Sequence, residues 1–225
     1  MITAVATQIC QRIGHGGASA LAPANTLASF DAAQEIGIDV IEFDVRAGVG
    51  DLVLAHTVLH ARRGGVVCLE AALRHLAGRR FAGVELNVDV KHLGCEVPLL
   101  TELRHHNLLH RALISSQVPA VLDRVRTLEP QARVGISVGG RVARLSRRWR
   151  DWRAGVLAGL AGGRWDAVMV QHRLVDRALV DDVLSRDGLL YAWTVNERAA
   201  IGRLRELGVH GVTSSDPRLF APEIA

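Results

Sequence analysis

Strand-like and helix-like segments alternate along this chain from end to end, and that alternation limits what it can fold into. Short runs rich in Val, Ile and Leu at 8–14, 39–46, 52–55, 83–91, 113–115, 133–137, 167–170, 189–194 and 211–213 read as strands, with 52–55 taken as the third. Helical patterns occupy 26–36, 69–76, 96–105, 118–128, 142–160, 175–186 and 197–207. Continuous apolar strands separated by helices are the mark of a parallel sheet covered on its faces. The expectation is α/β: a (β/α)8 TIM barrel in a single compact domain over residues 1–225, with a doubly wound open sheet as the alternative. A chain of 225 residues buries a substantial core, and no repeat, low-complexity tract or Pro/Gly-rich linker divides it.

Composition narrows the partners. The net charge is +4 with histidines neutral, which suits a small anionic substrate. The arginines are scattered and not interleaved with aromatics, so no nucleic-acid partner is expected. Three cysteines, Cys10, Cys68 and Cys95, form no zinc-type spacing and point to a reducing, cytoplasmic compartment. No basic leader with an apolar core is apparent, and no apolar run nears about 18 residues, so no transmembrane segment is expected.

Two strand runs carry polar groups two residues apart: Glu42 with Asp44, and Asp89 with Lys91. On a strand that spacing turns both side chains to one face. Lys91 is the only lysine; the rest of the 27 basic residues are arginine. Three carboxylates and one ammonium on strands that share an interior resemble a metal and phosphate site, although either pair alone also fits a solvated face or an ion pair. In a barrel, functional groups gather at the carboxyl ends of strands. His15 falls there, between Gly14 and Gly16, and His56 ends the third run. Asn25-Thr26 offers a cap for the following helix.

Taken in order, the motifs His15-Gly16-Gly17, Pro23-Ala24-Asn25-Thr26, Glu42-Phe43-Asp44, His56, Asp89-Val90-Lys91, Trp193-Thr194-Val195-Asn196 and Gly208-Val209-His210-Gly211-Val212 leading to Pro217 resemble the glycerophosphodiester phosphodiesterases, barrels of the phosphatidylinositol-phospholipase-C-like group. The resemblance spans nearly the whole chain. It implies a divalent cation, Mg²⁺ or Ca²⁺, on Glu42, Asp44 and Asp89, for which all-oxygen ligands are suited. It further implies His15 and His56 as the general acid/base pair and Lys91 as the cation that offsets phosphoryl charge. Gly16, Lys91 and Trp193 would meet a small phosphodiester substrate, Trp193 as an apolar wall.

The chain departs from the family pattern at several positions. Gly16 stands where an arginine is usual, Asp89 where a glutamate is usual, Thr57 for Asp, and Ala24 for Glu. Ser214-Ser215-Asp216 also differs from the usual Thr-Asp before the proline. Glu85, on the same strand face as Asp89, is a second candidate ligand. These departures keep two further readings open: a catalytically weakened member that binds a phosphorylated metabolite or a protein, and a phosphodiesterase for lysophospholipid-type substrates. The clustered His105, His106 and His110 are expected to be exposed at a helix end, and Ser115-Ser116 to line the pocket or its loop.

Overall fold

The computed structural model describes residues 10–139 and 146–221. In chain order the elements are β1 (Gln11–His15), α1 (Leu27–Ile36), β2 (Val40–Ala47), β3 (Leu52–Leu54), α2 (Val58–Ala61), α3 (Leu69–Leu76), β4 (Glu85–Val90), α4 (Glu96–His105), β5 (Ala112–Ser116), α5 (Pro119–Leu128), β6 (Arg133–Val138), α6 (Ser146–Ala161), β7 (Ala167–Gln171), α7 (Arg177–Leu184), β8 (Leu189–Trp193), α8 (Arg198–Leu207) and β9 (Gly211–Ser214). The predicted strand start at 8–9 and helix start at 142–145 lie outside the described residues.

Eight parallel strands close on themselves. β1 pairs with β9 on one side and with β2 on the other, and β4 to β9 follow in chain order around the ring. The barrel expectation is met, and the open sheet is excluded. One strand assignment needs correction: 52–55 is not a barrel strand. β3 runs antiparallel to the outer end of β2, with Val45 opposite Leu54, so the chain makes a hairpin above the rim before β4 takes the next barrel place. A three-residue apolar run looks the same whichever way it pairs, and the chain between His56 and β4 holds only short helices.

Period two sorts the side chains. Outward positions Ile41, Phe43, Val45, Val88 and Val90 are fully buried against the helices, and Phe43 meets Phe30 of α1 at 5.7 Å between rings. Each such side chain is worth about 1.5–3 kcal/mol in burial, so the outer layer stabilises the fold and leaves the inner face available for polar groups. Inside, Ile13, Val40, Leu113, Ala167, Met169 and Tyr191 plug the lower barrel. Beneath that plug Glu85 pairs with Arg133 at 3.4 Å, so Glu85 faces the wrong end of the barrel to act as a second ligand. Arg12 is likewise committed away from the mouth, forked onto Asp39 at 2.8 and 3.0 Å.

α1 starts where Thr26 accepts the Ser29 amide and Ser29 returns a bond to Thr26, a capping box that satisfies two otherwise unpaired donors. The cap is therefore Thr26 alone. Asn25 takes φ +62° and sends its side chain elsewhere. His105 and His110 are exposed as expected, but His106 is not: its ring is largely covered and lies 3.6 Å from Glu102 one turn earlier.

Candidate active site

At the carboxyl ends of the strands a cavity of about 160 Å³ is lined by His15, Glu42, Asp44, His56, Asp89 and Lys91 on one side. Ser115, Gln117, Ser137, Trp193, Thr194 and Thr213 line the other, with Asn87 and Met169 below. The register explains the crowding. Asp44 is directly opposite Asp89, Glu42 opposite Asn87, and His15 opposite Glu42, and directly opposed side chains on one face stand about 5 Å apart.

One oxygen from each of Glu42, Asp44 and Asp89 falls within 4.8 Å of the others. Lys91 leaves the end of β4 and sets its Nζ 2.5 Å from both Asp44 and Asp89. Burial would depress a lone ammonium, but the three surrounding carboxylates outweigh it and hold Lys91 charged, far above its usual range. Burial lifts the carboxyls of Glu42 and Asp89 above their ordinary range, with Asp44 adding to the lift on Glu42. At Asp44 burial is outweighed by Lys91 and by the Asn25 amide, and its carboxyl is held low.

Each acid is clamped from behind. Asn25 donates its amide to Asp44 Oδ2 at 2.8 Å and accepts the Asp44 backbone N–H at 2.9 Å. Asparagine tolerates the left-handed backbone this clamp needs. The Gly16 N–H donates to Glu42 Oε2 at 2.8 Å. Gly16 thus reaches the site through Glu42 and does not line the cavity itself. His15 Nε2 lies 4.0 Å from Glu42, and its Nδ1 lies 3.4 Å from Ser215 Oγ, whose own N–H donates to Asn196. Burial, more than Lys91 and His56, keeps the His15 pKa below the usual histidine value. His56 arrives from the hairpin, its carbonyl accepting from Arg46 at 3.2 Å. Ser115 lines the cavity, whereas Ser116 turns away to donate to Val90 O at 2.6 Å.

The site residues expected from sequence therefore converge, with Gly16 one step behind. Sequence reasoning missed Asn25 as a clamp and Asn87 as part of the floor. The second was readable from period two, since Asn87 precedes Asp89 by two.

Gly17 holds the β1–α1 turn at φ +81°, and a Cβ there would lie 2.6 Å from the backbone of Ser29. Gly17→Ala should cost about 2 kcal/mol or more, from left-handed strain plus overpacking. Thermal denaturation reads this directly, and an unchanged Tm would mean the turn has room. At Gly16, φ is +56° and a Cβ would sit 2.9 Å from Ala24 Cβ, so two of the departures from the family pattern abut in space.

A barrel with buried carboxylates, a lysine and two histidines at its carboxyl mouth is the layout of a phosphoric diester hydrolase. The chain belongs to the glycerophosphoryl diester phosphodiesterase family, whose model matches residues 15–107 and 83–219. A glycerophosphodiester phosphodiesterase of Caldanaerobacter subterraneus is 24% identical over 240 residues, covering 91% of this chain and 93% of that protein. One from Arabidopsis thaliana is 27% identical, covering 92% and 70%. Among solved structures, a glycerophosphodiester phosphodiesterase from Parabacteroides distasonis superimposes with a TM-score of 0.75 at 16% identity, covering 93% of this chain and 94% of that one. A phosphodiesterase from Oleispira antarctica, in complex with the product sn-glycerol-3-phosphate, gives 0.73 at 21% identity, covering 92% and 94%. Among the described residues no helix is long and apolar enough to cross a membrane.

Proposed function

We propose that this phosphodiesterase hydrolyses glycerophosphodiesters or related small phosphodiesters to an alcohol and a phosphomonoester, using a divalent cation and His15 and His56 as paired acid and base. The observation that carries this is the meeting of Glu42, Asp44 and Asp89 within 4.8 Å, beside Lys91 and both histidines, in one cavity. The relative solved with sn-glycerol-3-phosphate supports a substrate of that size. So does the cavity, which is smaller than the roughly 300–1,000 Å³ of drug-sized pockets.

The donor set fits a hard cation. It is all oxygen, and Asp89 Oδ1 within it and Asn87 Oδ1 beside it are buried with no hydrogen-bond partner. Such atoms cost about 1–3 kcal/mol each unless something satisfies them. Glu42, Asp44 and Asp89 would hold Mg²⁺ or Ca²⁺, which supplies charge stabilisation to a phosphoryl oxygen. The protein's own groups do the rest. Lys91, kept charged, faces the phosphoryl oxygens as negative charge develops. His15, kept neutral by burial, takes the proton of a neighbouring substrate hydroxyl as that oxygen bonds to phosphorus. The bond from phosphorus to the alcohol breaks, and His56 gives the departing oxygen a proton. Water then opens the cyclic diester with the roles reversed, which leaves a phosphomonoester and restores both histidines. Trp193 walls the alcohol side, among the hydroxyls of Ser115, Ser137 and Thr213.

Purified protein should release choline and sn-glycerol-3-phosphate from glycerophosphocholine, whose glycerol carries the neighbouring hydroxyl, with Mg²⁺, Ca²⁺ or Mn²⁺ present. No turnover of any diester with any of these ions would leave the protein as a binder of phosphorylated metabolites.

A further inference from the structure

The exposed apolar side chains are not spread evenly. Among the described residues seven large ones stand in solvent, and six of them, Leu21, Val49, Val58, Leu59, Leu93 and Val97, leave the barrel on one side of its mouth. Leu21 lies between β1 and α1, Val49 at the tip of the β2–β3 hairpin, Val58 and Leu59 on α2, and Leu93 and Val97 just after β4. Their strands β1, β2 and β4 are neighbours in the ring. The loops leaving β5 to β9 expose none among the described residues. Single exposed apolar residues need no explanation, but a one-sided group around a functional mouth does.

The exposed charge next to Val58 and Leu59 is basic. Arg62 and Arg63 are exposed directly after α2, and neither side chain has an ion pair among the described residues. No Asp or Glu precedes Asp31, and none lies between Asp51 and Glu70. The acids on this side lie away from α2: the exposed Asp51 beside Val49, Glu70 held by Arg74 at 3.2 Å, Glu102 beside His106 at 3.6 Å, and Glu96, buried and accepting the Gly94 N–H. A second copy of the chain fits poorly, because a two-fold contact through this face would set arginines against arginines.

We propose that this apolar, basic rim docks the enzyme on an anionic lipid bilayer. Val58, Leu59 and their neighbours enter the boundary between head groups and acyl chains, while Arg62 and Arg63 meet lipid phosphates. His56 begins the same segment, so docking sets the histidine side of the cavity against the bilayer. The purpose of docking, to take diesters at a lipid surface, rests on the hydrolase reading; the docking itself does not.

The test is co-sedimentation of the full chain with vesicles of phosphatidylcholine alone and of equimolar phosphatidylcholine and phosphatidylglycerol. Binding should be at least about tenfold stronger to the anionic vesicles and should fall with added salt. The double variants V58S/L59S and R62A/R63A should each weaken it at least about fivefold, with Tm and turnover of soluble glycerophosphocholine unchanged. Equal or absent binding of the wild type to the two vesicle types overturns the proposal, as does wild-type binding by either folded double variant. A dimer in light scattering that V58S/L59S dissolves would assign the face to a second copy and overturn it too. Vesicle binding without any diester turnover would keep the surface and remove the hydrolase reading instead.

Discussion

Alanine at His15 or at His56 should cut turnover by about 10²–10⁴-fold, the usual worth of a positioned general acid or base. The two changes should fall mainly on kcat, since either variant keeps Lys91 and all three carboxylates. A near-wild-type rate for either variant removes that residue from the mechanism. The pH profile gives a second reading on His15. Burial lowers its pKa below 6.5, so the neutral form needed by a base persists at pH 7. Protonation sets in only as the pH falls through that lowered value, and the acid limb of kcat/KM should therefore lie below pH 6.5. A cation held by Glu42 would shift the limb further in the same direction, because positive charge also disfavours the imidazolium. An acid limb above pH 6.5 would contradict this assignment.

Loss of the cation should be nearly as costly. Chelation with EDTA is expected to drop turnover by about 10²–10³-fold, since charge stabilisation at a phosphoryl oxygen is worth several kcal/mol and each 1.36 kcal/mol is tenfold. Asp44→Asn should reproduce the loss. Its carboxylate is the one common neighbour of Lys91, Asn25 and the other two acids. A measurement free of turnover separates cation binding from catalysis: Mg²⁺ or Ca²⁺ should raise the Tm of the wild type, by linkage to the folded state, and should not raise that of Asp44→Asn. Full activity after exhaustive chelation would exclude the ion from the reaction.

Much of this was legible in the chain because periodicity and chemistry agree. A strand such as Val40–Ala47 reads unambiguously: apolar residues at odd positions pack on helices, and Glu42 and Asp44 between them face inward. His15, Lys91 and Trp193 were found for the same reason, each closing an apolar run. What escaped reading depends on partners distant in sequence. Nothing in the run 52–55 says that it folds back on β2, so His56 was credited to a barrel strand it does not end. Asn25 looked like a cap because its neighbour Thr26 is one; only the fold brings Asp44 to its amide. Glu85 shares a face with Asp89, but a barrel has two ends, and alternation along one strand does not tell them apart. His106 fits a solvent-facing histidine until Glu102 closes over it.

The hairpin gives the two histidines supports of unequal stiffness. His15 sits on a strand locked between β2 and β9. His56 follows a strand of three residues joined along its length to β2 alone, with an isolated bridge from Val53 to Cys68 on the other side. Segments with few hydrogen-bonded neighbours open at lower free energy than the whole fold. On warming, the His56 side of the mouth is therefore expected to loosen before the barrel does, and turnover should fall at temperatures where the barrel still stands.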